Sequence, residues 1–287
     1  MNKLFTILLL LIVVQISAQH KIGVRAGLNF STINTDELEL GEDYSRSTGF
    51  HFGINYTYNI LPNFGVRGEL LYVQRGATYN FIDTLQGVYN FIRPAGSFDR
   101  FAEIGRKEET IEISNGYISI PITAQWQVSP KIELFGGISL DLLVNATGRG
   151  RLDFETDEFF YVQSYDFRYN GDEAGEVPFR IGTQTVTIES DGQLLTLFRT
   201  QAAYYKLFED EKVGNKFNLL DGHLIFGANY FINTGFYVGI RGQYGLGDIT
   251  NDAQDFSVRE LNPDDTFILR NDRDRSISVA VSFGFRF

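Results

Sequence analysis

Eight segments of the chain alternate between apolar and polar residues with a period of two, which is the period of a β-strand with one apolar face. In the last segment Ile277, Val279 and Val281 fall on one face, and Ser276 and Ser278 fall on the other. The segments are longer than a typical globular strand and match the ~9–11 tilted residues that cross a bilayer. The pattern therefore predicts eight membrane-crossing strands. They are residues 20–32, 48–60, 64–80, 110–128, 131–145, 222–232, 236–247 and 275–287.

The connections between these segments alternate strictly between short and long. The short connections contain the Pro, Asn and Gly residues of tight turns; they are 61–63, 129–130 and 233–235. The long connections are 33–47, 81–109, 146–221 and 248–274. Short periplasmic turns and long outer loops are typical of outer-membrane barrels, in which closure leaves no sheet edge unpaired in hydrocarbon. We predict an all-β, eight-stranded antiparallel transmembrane β-barrel with long extracellular loops and with both termini in the periplasm.

The first residues have the three parts of a secretory signal peptide. Lys3 supplies a positive charge, residues 4–16 form an almost unbroken apolar run, and Ser17 and Ala18 are the small residues expected at a cleavage site. The run is shorter than the ~20 apolar residues that a membrane-spanning helix needs. We therefore predict a signal peptide at 1–18, followed by export.

The remaining chain, 19–287, is predicted to be one outer-membrane β-barrel domain with a large extracellular loop insertion at 146–221. An apolar and aromatic stretch within 196–212 favours a short helix in this insertion. Long loops are usually functional. The insertion could fold into the lumen, cover the mouth of the barrel, or contact an extracellular or secretion-system protein partner, and the sequence leaves these three alternatives open.

Composition favours the membrane barrel and excludes several other classes. The chain has 29 Gly, 26 Phe and 15 Tyr, which suits a crowded barrel interior and interfacial aromatic girdles. It has no Cys and therefore no thiol nucleophile, thiolate ligand or disulfide. The net charge of -11 argues against nucleic acid as a partner, because phosphate binding needs clustered Lys and Arg. A soluble β-sandwich that buries the aromatic faces between two sheets is the alternative architecture.

Four short stretches resemble the PorT-like outer-membrane β-barrel family of the Bacteroidota, whose members are also described as porin-family proteins. The stretches are KIGVRAGLN at 21–29, ISIP at 118–121, GIRGQYGLGDI at 239–249 and RSISV at 275–279. The resemblance implies an eight-stranded outer-membrane barrel with no catalytic motif. The namesake of this family belongs to the type IX secretion pathway.

Charged residues collect on the polar faces of the predicted strands, which face the lumen. An eight-stranded barrel is just wide enough for side chains to fill it, and an unpaired buried charge is costly. We expect these side chains to pair and to plug the barrel, and a narrow ion path or small-ligand site is the alternative. They are Arg25, Arg67, Glu69, Glu133, Asp141, Arg241 and Arg286.

The end of the last strand has the form of a signal that the barrel-assembly machinery reads. Phe283, Phe285 and Phe287 occupy alternate positions up to the C-terminus. We therefore expect the assembly machinery to be a partner during insertion, and outer-membrane lipid to be the lasting partner of the apolar faces.

No constellation of catalytic residues is evident. Asp221 and His223 share a face near the outer rim of the sixth strand, but no nucleophile or further carboxylate can be placed beside them. The three His residues have no metal-ligand spacing. We predict no catalytic residue, no metal and no cofactor. The leading hypothesis is a non-enzymatic envelope scaffold or loop-mediated binding protein; a narrow diffusion channel and an accessory component of a type IX-like secretion machinery are the alternatives.

Overall fold

The computed structural model describes residues 19–95, 97–169, 185–190, 192–203, 215–263 and 267–287. The predicted signal peptide lies outside these residues. The described chain is built from β-strands and one 3-10 turn at Asp252–Gln254. The strands are β1 (His20–Thr35), β2 (Glu42–Leu61), β3 (Phe64–Ala95), β4 (Ser97–Ser129), β5 (Ile132–Glu155), β6 (Phe160–Arg168), β7 (Thr185–Ser190), β8 (Gln193–Phe198), β9 (Thr200–Ala203), β10 (Leu220–Phe231), β11 (Phe236–Gly245), β12 (Phe256–Leu261), β13 (Phe267–Leu269) and β14 (Asp274–Arg286).

Eight of these strands close into a ring in which every neighbouring pair is antiparallel. Strands β1 to β5 follow one another, β5 pairs with β10, β10 with β11, and β11 with β14, which pairs with β1. These are the eight predicted strands, so the predicted barrel is confirmed. Both ends of the described chain and the three tight turns lie at one end of the ring, the turn end; we call the opposite end the hairpin end.

Several strands continue far past the predicted bounds at the hairpin end. The connection predicted as a loop at 81–109 is wrong: β3 and β4 stay paired up to Ala95 and Ser97. The outward positions of β3 turn polar at Thr78 and Asn80, while Phe81 still faces inward and is buried. At these positions the outward residues of β3 are therefore no longer apolar. The strand was predicted from apolar outward residues, so the prediction stopped too early.

The insertion at 146–221 is also largely β-structure where it is described. Strand β5 continues to Glu155 and pairs with β6, β9 adds to β6 in parallel, and β7 and β8 form a separate hairpin. The helix predicted within 196–212 is wrong for residues 196–203, because β8 and β9 occupy that part of the chain. Residues 204–212 lie outside the described residues.

A band of exposed apolar side chains, the apolar belt, surrounds the ring. Ile54, Ile122 and Phe283 are each more than half exposed, which excludes a sandwich that buries such faces between two sheets. On β3 the belt covers nine residues, about 30 Å along a tilted strand, and this suits the ~25 Å apolar band of an outer-membrane barrel. The belt consists of the outward-facing residues within 22–30, 50–60, 64–72, 118–128, 132–144, 220–232, 236–246 and 277–287.

Among the residues that the structure describes, no helix has the length and apolar character needed to cross a membrane.

The largest group of buried apolar side chains, the aromatic cluster, lies at the hairpin end. It packs the inner face of the extended strands against Leu197 of β8 and Phe217. Tyr169 and Phe217 meet edge-to-face, with ring centroids 5.1 Å apart. The rings of the cluster belong to Tyr79, Phe81, Tyr89, Tyr117, Phe154, Phe159, Tyr161, Tyr165, Phe167, Tyr169 and Phe217.

Candidate functional site

The period of two along each ring strand turns the seven predicted lumen residues inward. Six of them are buried, and the side chain of Arg286 is 12% exposed at the turn end. They divide into three groups, each centred on one carboxylate: Glu133 nearest the turn end, Glu69 in the middle, and Asp141 nearest the hairpin end.

Glu133 of β5 is bound by side chains from three other strands. Its Oε1 accepts hydrogen bonds from Arg67 Nη2 at 2.9 Å and from Asn229 Nδ2 at 2.8 Å, and its Oε2 accepts from Arg286 Nη1 at 3.0 Å. Arg67 Nε also donates to Thr57 Oγ1 at 3.0 Å. A carboxylate with several charge-assisted donors is held firmly in one position.

Glu69 of β3 is placed between two arginines. Arg25 Nη1 lies 2.9 Å from Oε1, and Arg241 Nη2 donates to Oε2. Arg25 Nη2 also donates to Ser282 Oγ at 3.0 Å, which links this carboxylate group to the next residues along the lumen.

A neutral hydrogen-bonded chain continues from Ser282. His51 Nε2 lies 2.9 Å from Ser282 Oγ, and His51 Nδ1 lies 2.8 Å from Asn29 Oδ1. Asn29 Nδ2 in turn donates to the backbone carbonyls of Phe50 and Gln74. These residues fill the lumen between the Glu69 and Asp141 groups without adding a formal charge when His51 is neutral.

Asp141 is bound by residues that the sequence interpretation missed or misplaced. Arg75 Nη2 donates to Asp141 Oδ2, and His223 Nδ1 lies 3.0 Å from the same oxygen. His223 Nε2 is 2.8 Å from Arg75 Nη1 and 3.3 Å from Asp221 Oδ2. Asp221 and His223, expected at the outer rim, are buried inside the barrel, and His223 is completely inaccessible.

Arg75 had a detectable signal in the sequence. It follows Arg67 and Glu69 at even spacing on β3 and therefore shares their inward face. The apolar residues between them, Leu71 and Val73, also point inward and interrupted the polar pattern.

Arg75 also connects the ionic groups to the aromatic cluster. Its guanidinium carbon lies 4.7 Å from the centroid of the Tyr117 ring, within cation–π range. The ionic groups and the aromatic cluster are therefore in direct contact, and the same strands enclose both.

The three predicted assembly-signal residues lie on the outward face of β14 and at its end. Phe283 stacks on Phe236 with ring centroids 6.3 Å apart, and Phe285 meets Phe287 edge-to-face at 4.9 Å. The backbone N–H of Phe287 donates to the carbonyl of Ile22 at 2.8 Å, which extends the pairing of β14 with β1 to the last residue.

A second set of charges lies at the hairpin end, outside the apolar belt. Arg270 Nη1 donates to both carboxylate oxygens of Glu42 at 3.0 Å, and Nη2 donates to Asp272 Oδ2 at 2.7 Å. Burial, followed by a hydrogen bond with Asp272, raises the pKa of Asp255 to about 7. Burial likewise raises the pKa of Asp248 to about 6.

Within the described ranges, no three His, Asp or Glu side chains are grouped so as to hold a metal ion.

The sequence profile of one family, described as the outer membrane protein β-barrel domain, matches residues 17–251. The matched region ends before β12, although β14 is needed to close the ring. No curated protein matches the chain.

Several solved structures are similar to the chain at low identity. The attachment invasion locus protein Ail of Yersinia pestis is 10% identical, with a TM-score of 0.36 over 94% of this chain and 99% of that chain. Neisserial surface protein A is 9% identical, with a TM-score of 0.34 over 93% and 97%. OprG of Pseudomonas aeruginosa is 11% identical, with a TM-score of 0.31 over 94% and 96%.

Proposed function

The chain belongs to the family of outer membrane protein β-barrel domains, and from this premise we propose that it is a non-enzymatic, non-conducting barrel whose hairpin end binds a macromolecular partner. In this proposal the turn end and both termini face the periplasm, and the hairpin end faces the exterior. Short turns on one side and long hairpins on the other support that orientation.

The observation that carries the proposal of a closed lumen is the set of three ionic groups inside the ring. Each carboxylate is bound by at least one arginine from a strand that is not its neighbour: Arg25 of β1 reaches Glu69 of β3, and Arg67 of β3 reaches Glu133 of β5. These pairs extend across the interior, which in an eight-stranded ring is just wide enough for side chains.

The same burial argues against catalysis at the one Asp–His pair. His223 is completely inaccessible, and both of its ring nitrogens already face Arg75, Asp141 or Asp221. A general base must reach the proton of a bound substrate, and a substrate has no access to this histidine.

The hairpin end is suited to binding because its described strands form a continuous surface. Its strands continue the barrel wall and have the aromatic cluster as a core of their own. On the outer face, Arg149 pairs with Asp166 and Arg151 pairs with Asp153, and the two arginine side chains are 80% and 63% exposed. Exposed charge on a rigid sheet favours a specific polar partner over lipid.

Single-channel recording in planar bilayers tests whether the lumen is closed. We expect no steady openings from the natural chain. A triple variant with Arg25→Ser, Glu69→Ser and Arg241→Ser removes the middle ionic group and changes the net charge by only one. This variant is expected to conduct. Heat-modifiability on a gel verifies that both proteins are folded barrels.

Steady openings of the natural chain would contradict the closed lumen. If those openings also changed with Arg25→Ser or Arg241→Ser alone, the narrow diffusion channel would be the better function.

Site-directed crosslinking in cells tests the binding surface, and the absence of Cys makes single-cysteine variants straightforward. We expect Arg149→Cys, at the hairpin end, to give one reproducible crosslinked adduct. The matched control is Lys131→Cys, which is exposed at the turn end and is expected to give none. Equal labelling patterns at both positions would contradict a partner at the hairpin end.

Mass spectrometry of that adduct also tests the finer assignment. We propose membership of the PorT-like group on the four sequence stretches that resemble it, and this makes a secretion-system component the expected adduct of Arg149→Cys. An adduct with an unrelated extracellular protein would support the proposed binding function and contradict the proposed role in secretion.

A further inference from the structure

The half of the lumen nearest the turn end has more positive than negative charge. Two carboxylates, Glu69 and Glu133, face it, together with five basic side chains on the same inward faces. The formal excess is three positive charges. The basic residues are Lys21, Arg25, Arg67, Arg241 and Arg286.

Burial makes this excess costly. Arg25, Arg67 and Arg241 are each at most 4% exposed, and only Lys21 and Arg286 have contact with solvent at the turn end. A buried charge without a counter-charge is strongly unfavourable in a low-dielectric interior.

The remaining acidic groups of the lumen are too distant to compensate. Asp141 and Asp221 lie beside Arg75, and Arg75 is six residues, or about 20 Å along β3, beyond Glu69. Neutral side chains, His51 and Ser282 among them, lie between the two regions. The excess charge is therefore confined to the turn-end half.

Unused hydrogen-bond donors lie in the same half. Tyr237 Oη, Gln125 Nε2, Asn55 Nδ2 and the Nε atoms of Arg25 and Arg241 are buried and have no hydrogen-bond partner among the described residues. Tyr237 is 1% exposed, and its ring lies 5.3 Å from the ring of Phe231, over which the Arg286 guanidinium carbon lies at 4.2 Å. The amide oxygens of Gln125 and Asn229 are also without a partner there. Buried donors are normally paired, so the five donors, which outnumber these two acceptors, indicate an absent acceptor.

We propose that a small soluble oxyanion of the phosphate, sulfate or carboxylate type binds in the turn-end half of the lumen. It lies among the guanidinium groups of Arg25, Arg241 and Arg286 and accepts hydrogen bonds from the Tyr237 hydroxyl and the Gln125 amide. It enters at the turn end, past Lys21. Guanidinium donors are well suited to oxyanions, because their fork geometry matches two oxygens of one group.

Isothermal titration of inorganic phosphate into the refolded full chain in detergent, in a low-salt Tris buffer that contains no other oxyanion, tests the site. We expect one phosphate per chain. Arg286→Gln is expected to weaken phosphate binding at least tenfold, while Arg149→Gln, the matched change of an exposed arginine, leaves it unaltered. Sulfate is expected to compete, and chloride at the same ionic strength is not.

A second variant supplies the missing negative charge from the protein itself. Gln125→Glu places a carboxylate in the positively charged half, so it is expected to raise the melting temperature in phosphate-free buffer and to abolish phosphate binding. This variant keeps the test decisive if Arg286→Gln does not fold. No phosphate binding to the natural chain, an equal response to chloride, or undiminished binding by Gln125→Glu would each overturn the proposal.

Discussion

Arg67 on β3 and Glu133 on β5 form an ion pair across the strand that separates them, with Nη2 of the arginine 2.9 Å from Oε1 of the carboxylate. Both side chains are at most 3% exposed. Because β4 lies between them, the pair spans one intervening strand on the inward face of the curved sheet. Ion pairs inside this barrel therefore also link strands that do not share a backbone hydrogen bond.

Glu69→Gln tests how much such a group contributes to stability. The substitution keeps the size of the side chain but leaves Arg25 and Arg241 buried without their counter-charge, so we expect a loss of ~3–5 kcal/mol in the free energy of unfolding. Urea unfolding of the refolded barrel in lipid vesicles measures it. The control is Glu108→Gln, whose partner Arg106 is exposed on the outer face, and which is expected to cause no measurable change. Equal effects of the two substitutions would contradict a structural role for the buried group.

The single tryptophan of the chain, Trp126, reports on the apolar belt. It faces outward from β4 and is 53% exposed, so its ring is expected to lie in lipid. We expect brominated lipids to quench its fluorescence strongly and aqueous iodide to quench it little. Gln125→Trp combined with Trp126→Phe moves the reporter to the inward face and is expected to remove the lipid quenching. Strong quenching by iodide in the natural chain would contradict the assignment of this face to lipid.

The loop between β11 and β14 is expected to lose local stability as the pH rises. The pKa of Asp255 is raised to about 7 by burial and by its hydrogen bond with Asp272, whereas an unfolded Asp has a pKa of ~3.9. A raised carboxyl pKa contributes stability that is present below the unfolded value and is lost as the pH rises through the folded value. The expected window is therefore about pH 4 to 7. The pKa of Asp272 shifts downward, so its contribution is lost only in more acidic solution.

Hydrogen exchange measured by mass spectrometry at pH 5.5 and pH 8, corrected for intrinsic rates, detects this loosening in peptides from 246–274. Asp255→Asn is expected to remove the difference between the two pH values. Glu260→Gln, an exposed position on β12, is the matched control and is expected to retain it. Exchange that is independent of pH in the natural chain would contradict the prediction.

Deletion of Phe287 is expected to impair assembly in cells more than any substitution in the lumen. The residue closes the pairing of β14 with β1 through its backbone N–H, and with Phe283 and Phe285 it forms the predicted assembly signal. The assembled fraction is measured as heat-modifiable protein in isolated outer membranes. Arg286→Gln, one residue away and facing the lumen, is the control. A normal yield of the deletion variant would remove the assembly role from this residue.

The residues that the sequence interpretation missed have a common physical origin. Arg75 follows two inward apolar residues, Leu71 and Val73, so the polar face of β3 seemed to end before it. Asp221 and His223 were assigned to the rim because the predicted sixth strand begins at residue 222, whereas their partners Asp141 and Arg75 come from strands far away in sequence. The residue pattern of one strand does not predict which residues of other strands its side chains will contact inside the lumen.

The sequence by itself determined the eight strands, their alternation and the inward direction of charges such as Arg25 and Glu133, because lipid on one side and a packed lumen on the other impose opposite polarities on successive residues. Only the tertiary structure decided which charges meet, since ring closure and strand register bring Arg25 beside Glu69 and Arg67 beside Glu133. It also decided that the outer connections are extended strands. Beyond the belt the outward face contacts no lipid, and the apolar residues of β3 and β4 are buried by the aromatic cluster instead.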